Sequence, residues 1–135
     1  MSSLSNKVVV ITGASSGIGH ALALVALSRA AKVAVCARNL EKLKTVFPGV
    51  ADDKIYFEQT DVSKEEDCKS FINNVIQKWG RVDVLINNAG ISMRALFEDT
   101  DVKVIRELMD INFWGTVYCT KYALPSIRQN KGVVV

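Results

Sequence analysis

The chain has 135 residues, of which 49% are hydrophobic and 23% are charged, and its formal net charge at pH 7 is +3. This composition is typical of a folded globular chain and excludes a disordered one, and the length predicts one domain over residues 1–135. The charge does not indicate a nucleic-acid partner, because the basic residues are interspersed with acidic ones and form no stripe.

The N-terminal residues and the cysteines bear on location. Residues 1–7 are short and mostly polar, and no apolar run approaches the roughly 18–20 residues that a membrane span needs. The three cysteines, Cys36, Cys68 and Cys119, are far apart and form no Cys-x-x-Cys pair. We therefore expect buried, unpaired thiols in a reducing compartment, a cytoplasmic location and no membrane partner.

Short apolar runs alternate with longer helical patterns along the chain. Strands are predicted over residues 8–11, 32–36, 54–59 and 82–87, and a fifth begins at 133–135. Helices are predicted over 17–30, 39–47, from Ser63 to Trp79, and over 101–128. Ser63 is the predicted N-cap of the third helix, because Glu66 three residues later would complete a capping box.

This alternation predicts the fold class. Strands joined by helices of such length favour right-handed crossovers and a parallel sheet that is covered on both faces. We predict a doubly wound α/β sheet with strand order 3-2-1-4-5. The order reverses between the first and fourth strands, and ligands bind beyond the carboxyl ends of strands at such a point.

A glycine-rich turn, Thr12-Gly13-Ala14-Ser15-Ser16-Gly17-Ile18-Gly19, follows the first strand and opens the first helix. In this context it is typical of a dinucleotide site. Gly13 would allow a tight turn, Gly17 a close approach of the backbone to the pyrophosphate, and Gly19 close packing of the helix. Free N–H groups at the helix start would attract the phosphates. The other predicted contacts in this turn are Ser15, Ser16 and Ile18.

Four features together resemble the short-chain dehydrogenase/reductase family. They are Thr-Gly-x-x-x-Gly-x-Gly at residues 12–19, Asp61 after the third strand, Asn-Asn-Ala-Gly at 87–90, and Asn112 in the last helix. Their order and spacing match the family over the whole chain. The resemblance implies a Rossmann fold, a nicotinamide cofactor, and hydride transfer to or from a small-molecule carbonyl or secondary alcohol.

The end of the second strand bears on the choice of cofactor. Proteins that bind NAD tend to place a carboxylate there, about 20 residues after the glycine turn, to hold the ribose 2′-OH. Here Ala37 has that place and Arg38 follows, and a guanidinium can hold a 2′-phosphate with two hydrogen bonds. We expect NADP(H) rather than NAD(H), with Ser16 or Asn39 assisting Arg38. The alternative is a surface arginine at a strand end.

The resemblance implies roles for two further groups of residues. Asp61 would accept a hydrogen bond from the adenine amino group, with the backbone of Val62 nearby; the alternative is a loop aspartate before a capped helix. The second group is Asn88, Ala89 and Gly90. Its small residues would let the backbone approach the nicotinamide ribose, and asparagine side chains would tie neighbouring strands together.

Asn112 and Gly115 lie in the last predicted helix, and both are poor helix formers, glycine by about 1 kcal/mol relative to alanine. We therefore expect a local break in this helix. The resemblance implies that Asn112 anchors a water in a proton relay to a catalytic lysine. The alternative is an asparagine satisfied within the helix.

The resemblance also implies catalytic residues that this sequence does not contain. In the family that this chain resembles, the active site is a tetrad of Asn, Ser, Tyr and Lys. Of these four residues, only the one corresponding to Asn112 is found in this sequence. Tyr118 is followed four positions later by Tyr122 rather than by a Lys. We expect an N-terminal, cofactor-binding part of a longer enzyme. The alternative is a non-catalytic dinucleotide-binding module or inactive fragment, which a Ser and a Tyr-x-x-x-Lys after Val135 would exclude.

The last helix and the single histidine complete the predictions about partners. The helix over 101–128 is apolar on more than one side, and the resemblance implies that it is the main dimerisation surface. We therefore expect a homodimer or homotetramer through this helix. His20 has no second ligand at metal-binding spacing, so we expect no metal site, although its position after the glycine turn would allow a place beside a phosphate.

Overall fold

The computed structural model describes residues 3–135. Within them the strands are β1 (Val8–Thr12), β2 (Lys32–Ala37), β3 (Ile55–Gln59), β4 (Val84–Ile86) and β5 (Val133–Val134). The helices are α1 (Gly17–Ser28), α2 (Leu40–Thr45), α3 (Glu65–Trp79), α4 (Val102–Met109) and α5 (Gly115–Gln129). A 3-10 turn occurs at Phe97–Asp99, and a π-helical turn at Asp110–Trp114 joins α4 to α5.

The strands form one parallel sheet in the order β3-β2-β1-β4-β5, which confirms the predicted topology. At the centre, Val10 of β1 pairs with Ala34 of β2 on one side and Leu85 of β4 on the other. The chain therefore winds in one direction from β1 to β3 and in the other from β4 to β5. The loops that follow β1 and β4 meet at the same edge of the sheet, where a ligand is expected.

Two hydrophobic clusters lie on opposite faces of this sheet, as the sequence predicts. β1 is buried on both sides, because Val8 and Val10 belong to one cluster while Val9 and Ile11 belong to the other. Helices α3 and α5 cover the first face and α1 and α2 the second. In the described part of the chain, no helix combines the length and the apolar character that a membrane crossing requires.

A buried carboxylate joins β1 to β4 at the amino-terminal edge of the sheet, away from the predicted site. Asp83 Oδ2 accepts from the Val8 N–H at 2.9 Å and from Arg81 Nε at 2.8 Å. Burial opposes ionisation of Asp83, but Arg81, this N–H and Lys7 together hold its pKa below the usual value. Because folding lowers this pKa, the contacts stabilise the fold at neutral pH, and that stability is lost as the pH falls through the folded-state pKa.

The capping box predicted at Ser63 is wrong. Helix α3 begins at Glu65, Lys64 has the N-cap position, and no side chain caps this helix. Ser63 Oγ instead donates a 2.6 Å hydrogen bond to Asp61 Oδ1. A carboxylate two residues away is a charged acceptor, and a hydrogen bond to it is stronger than one from a neutral N–H to the hydroxyl. Element ends also differ slightly from the predictions; α1, for example, stops at Ser28.

The predicted break in the last helix is confirmed. The π-helical turn at Asp110–Trp114 contains Asn112, and Gly115 opens α5 immediately after it. Gly115 lies against the loop after β3, where a Cβ atom would stand 2.8 Å from Val62 Cγ2 and 3.2 Å from the Val62 carbonyl oxygen. Glycine here lets the helix approach the loop that holds Asp61 and Val62.

Candidate functional site

The glycine turn after β1 fits closely against the loop after β4. Gly13 has φ +67°, which favours glycine, and a Cβ atom there would stand 2.7 Å from Ala89 Cα. At Gly19 a Cβ atom would overlap Asn88 Nδ2 and stand 2.6 Å from the Gly13 carbonyl oxygen. Two of the three predicted glycine roles therefore have a steric basis in the structure. Gly17 has φ +59° with open space around it, so its backbone is accessible.

Four hydrogen bonds hold the two loops together. Thr12 Oγ1 accepts from the N–H groups of Asn88 at 3.1 Å and Ala89 at 3.0 Å. Asn88 Nδ2 donates to the carbonyl oxygens of Thr12 at 3.1 Å and Gly13 at 3.0 Å. Since both loops occupy the point where the strand order reverses, these bonds fix the floor of the predicted site.

Helix α1 begins here without a neutralising side chain. Ser16 is its N-cap in an extended conformation, its side chain makes no capping hydrogen bond, and the first turn contains no acidic residue. By contrast, the first turn of α3 contains Glu65, Glu66 and Asp67. The N–H groups and the positive dipole end of α1 therefore remain available to an anion.

A cleft of about 310 Å³ opens between the glycine turn and the loops after β2, β3 and β4. It brings together most of the predicted site residues: Gly13, Ser15, Ser16, Arg38, Asp61, Val62, Asn88, Ala89 and Gly90. Its lining also includes Ala37, the position where NAD-binding proteins tend to have a carboxylate. Gly13 and Asn88 are 75 residues apart in the sequence, and a hydrogen bond joins them directly at this cleft.

The cleft lining does not include five of the predicted residues, which are Gly17, Ile18, Gly19, Asn39 and Asn112. Ile18 is 73% exposed in the first turn of α1, next to the cleft. Asn39 caps α2, since its Oδ1 accepts from the Lys42 N–H at 3.0 Å. His20 is also turned elsewhere: its Nε2 lies 2.9 Å from the Val46 carbonyl oxygen.

Four lining residues were not singled out in the sequence as contacts: Cys36, Thr60, Ile91 and Ile111. Each stands within two residues of a predicted one, and this adjacency in the sequence was the available signal. Their small or apolar side chains look like core residues in a sequence. Cys36 is inert as a nucleophile because burial raises its pKa to about 12, and Cys68 and Cys119 are also buried and free.

Arg38 lies exposed at the mouth of the cleft and forms no ion pair with any residue from 3 to 135. Its backbone is held by Gln59, whose Nε2 donates to the Arg38 carbonyl oxygen at 2.9 Å. A recess adjoins the cleft at this point and is lined by Arg38, Gln59, Asp61, Lys64 and Asp67. Its two cations and two carboxylates balance, so any preference for a phosphate here depends on direct contact with the guanidinium rather than on the surrounding field.

Asn112 joins the π-helical turn to the loop after β4. Its Oδ1 accepts from the Ile91 N–H at 2.9 Å, and its Nδ2 donates to the Ile91 carbonyl oxygen at 2.8 Å. The partners of this side chain therefore lie outside the helix, which contradicts the alternative of an asparagine satisfied within it. The same oxygen would stand 3.2 Å from a Cβ atom at Gly90.

Comparison with known proteins gives one family. The family model described as short chain dehydrogenase matches residues 7–135. A curated Arabidopsis thaliana protein, 11-beta-hydroxysteroid dehydrogenase-like 2, is 42% identical over 98% of this chain. The alignment covers 44% of that protein, so the chain spans less than half the length of this relative.

Solved structures agree with the fold and differ in the coenzyme they contain. An alcohol dehydrogenase from Thermococcus sibiricus, complexed with 5-hydroxy-NADP, is 30% identical with a TM-score of 0.89 over 96% of this chain and 57% of that one. A 3-ketoacyl-(acyl-carrier-protein) reductase from Brucella melitensis, complexed with NADH, is also 30% identical with a TM-score of 0.89, over 95% and 53%.

Proposed function

The chain belongs to the short-chain dehydrogenase family, and from this premise we propose that the full-length protein is an NADP(H)-dependent oxidoreductase. Its reaction is hydride transfer between the coenzyme and a small molecule bearing a carbonyl or secondary alcohol. The hydroxysteroid dehydrogenase name of a relative supports a hydroxyl-bearing substrate. The observation that carries the proposal is the unneutralised start of α1 at the wall of the cleft.

The coenzyme diphosphate fits the start of α1. Backbone N–H groups there have no capping side chain, and the first turn has no acidic residue to repel phosphate. Gly17 offers its backbone without steric obstruction, and Ser15 and Ser16 line the same wall. These groups would hold the diphosphate and direct one half of the coenzyme toward Arg38 and the other toward Gly90.

The nicotinamide half would supply the hydride when bound, beside the loop Asn88-Ala89-Gly90. Tyr56 and Tyr122 do not suit acid–base work. Burial and the hydrogen bond to Glu58 raise the pKa of Tyr56 to about 12, and the hydrogen bond to Glu65 raises the pKa of Tyr122 to about 12. A tyrosine general acid needs a lowered pKa. By resemblance to the family, that role would fall to a tyrosine outside residues 1–135, with Asn112 supporting the site from within.

Coenzyme choice is tested by Arg38→Ala. We expect the ratio of the NADH and NADPH dissociation constants to fall by about 10- to 100-fold, since charge-assisted hydrogen bonds to a phosphate are worth roughly 1.5–3 kcal/mol. Both constants would be measured by calorimetry on the full-length protein at fixed ionic strength. Arg29→Ala is the matched control, because Arg29 is exposed at the other end of α1.

Three outcomes separate the parts of the proposal. If the ratio of the NADH and NADPH dissociation constants is unchanged in Arg38→Ala, Arg38 is a surface residue without a role in coenzyme choice. The proposed preference for NADP(H) would then be wrong. A wild-type protein that binds neither coenzyme would contradict the whole proposal. Tight binding with no turnover of any carbonyl or alcohol would leave a non-catalytic dinucleotide-binding module.

We also propose that the protein assembles with copies of itself through the α4–α5 region. Large apolar side chains are exposed there, including Met109, Phe113 and Trp114, which are each 43–49% exposed. Phe113 and Trp114 pack edge to face at 5.3 Å and form a contiguous aromatic surface. Light scattering at micromolar concentration should give an oligomer that Phe113→Glu dissociates, and a monomeric wild-type protein would contradict the proposal.

A further inference from the structure

His20 lies in the first turn of α1 and is the single histidine of the chain. Its backbone N–H donates to the Ser16 carbonyl oxygen at 3.4 Å, so the residue stands one turn after the N-cap. No other residue of α1 has a charged side chain. The protonation state of this imidazole therefore decides the side-chain charge of the whole helix, close to the end that we propose for the diphosphate.

Two neighbours outside the helix hold the imidazole ring. Its Nε2 lies 2.9 Å from the carbonyl oxygen of Val46, the C-cap of α2. The ring also packs edge to face against the buried Phe47, with the ring centroids 5.0 Å apart. Because a carbonyl oxygen only accepts, Nε2 carries a proton, and the neutral ring has its free lone pair at Nδ1. Protonation of His20 at Nδ1 therefore leaves the contact with Val46 intact.

The charged side chains on the elements beside His20 form no ion pair with it in residues 3–135. Those on α2 are exposed: Glu41, Lys42 and Lys44. The strand β3 contacts Phe47 from behind, but its carboxylate is on the opposite face of the sheet. There Glu58 accepts hydrogen bonds from Tyr56 and Asn74. An anion at the start of α1 would therefore be the main partner of a positive charge on His20.

We propose that His20 takes up a proton when the coenzyme binds and so makes the affinity for the coenzyme depend on pH. This inference rests on the proposed function, because it requires a diphosphate at the start of α1. In the free protein, a positive charge in the first turn is unfavourable, because the N-terminal end of the helix dipole is itself positive. A bound diphosphate reverses the sign of the local field, and the same charge becomes favourable.

The direction of the pH dependence follows from reciprocal linkage. If bound coenzyme favours the proton, the protonated protein binds the coenzyme more tightly, and by the same factor. We expect a factor of about three, because His20 is partly exposed and solvent screens its charge. Histidine changes its charge between pH 5 and 8, so this part of the affinity is present at the acidic end of that range and lost at the alkaline end.

The experiment is calorimetry of NADPH binding to the full-length protein between pH 6 and 8. Titrations in buffers of different ionisation enthalpy give the number of protons taken up. His20→Gln keeps an N–H for the Val46 carbonyl oxygen but has no charged form, and it should lower the uptake by about 0.3 proton per coenzyme at the midpoint of the titration. The 2′-phosphate of NADPH also titrates near pH 6. It does so in both proteins, and the difference between them therefore reports His20.

His20→Arg provides a second variant, because its charge does not change in this pH range. It should lose the same uptake, even where His20→Gln does not fold, and bind NADPH at pH 8 about threefold more tightly than wild type. Lys44→Gln is the matched control. It removes an exposed charge from the last turn of α2, but that charge is constant between pH 6 and 8, so the uptake should stay as in wild type.

The outcomes distinguish this inference from the proposed function. If wild type binds NADPH and both His20 variants take up as many protons as wild type does, the inference is wrong while the proposed function stands. A lower melting temperature in these variants with unchanged proton uptake would limit His20 to packing between α1 and α2. A wild-type protein that binds neither NADPH nor NADH would overturn both.

Discussion

Replacing Gly19 with alanine is expected to weaken NADPH binding by about a hundredfold, the equivalent of roughly 3 kcal/mol. The added methyl group would overlap Asn88 Nδ2 and stand 2.6 Å from the Gly13 carbonyl oxygen. Because that amide donates to Thr12 and Gly13, its displacement breaks two of the four hydrogen bonds that join the loops after β1 and β4. The glycine turn and the start of α1 would then move away from the loop after β4, and the diphosphate would lose part of its backbone contacts.

The control for this substitution is Gly49→Ala. Gly49 has φ +73° and open space around it, and it does not line the cleft. Alanine there imposes backbone strain of about 1–2 kcal/mol without any collision. Gly49→Ala should therefore lower the melting temperature and leave the NADPH dissociation constant unchanged. Calorimetry on both variants, with circular dichroism to confirm folding, separates the two effects. If the Gly19→Ala protein binds NADPH as tightly as wild type does, the close packing of Gly19 against Asn88 has no role in coenzyme binding.

The topology of the sheet and the main elements of the site could be predicted from the sequence because they depend on local patterns. Apolar runs of strand length alternate with helical periodicity, and the strand–glycine turn–helix context identifies the first crossover. The meeting of the glycine turn with Asn88 follows from topology, since the carboxyl ends of β1 and β4 adjoin wherever the strand order reverses.

The features that could not be predicted from the sequence depend mainly on competition between alternative hydrogen-bond partners. Ser63 has the sequence signature of an N-cap, and only the position of Asp61 in space decides that its hydroxyl donates to a carboxylate instead. Asn39, which we expect to assist at a phosphate, also caps α2 through its side-chain oxygen, a contact that the sequence analysis did not predict. Ile91 and Ile111 line the cleft but look like core residues in the sequence, because apolar side chains occur both in the walls of binding sites and in the protein interior.

Replacing Asn112 with alanine is expected to lower kcat by about a hundredfold, while the NADPH dissociation constant changes by less than about threefold; a displacement near 1 Å can have such an effect on rate. The two hydrogen bonds from Asn112 to Ile91 hold the loop after β4 against the π-helical turn. This loop contains Gly90 and borders the part of the cleft proposed for the nicotinamide. The diphosphate contacts at α1 do not involve Asn112, so ground-state binding should be largely retained.

Asn130→Ala and Asn112→Asp sharpen this prediction. Asn130 adjoins the far end of α5, where its amide donates to the Ser126 carbonyl oxygen, and its replacement should leave kcat unchanged. Aspartate at position 112 can still accept from the Ile91 N–H, but its carboxylate faces the Ile91 carbonyl oxygen without a proton to donate. The aspartate variant should therefore lose turnover as the alanine variant does, because repulsion replaces the second bond.

Steady-state kinetics and coenzyme titrations on the full-length protein give both kcat and the NADPH dissociation constant. Unaltered turnover in Asn112→Ala would show that this side chain serves only the packing of the loop, and equal losses in turnover and coenzyme affinity would place its effect in binding.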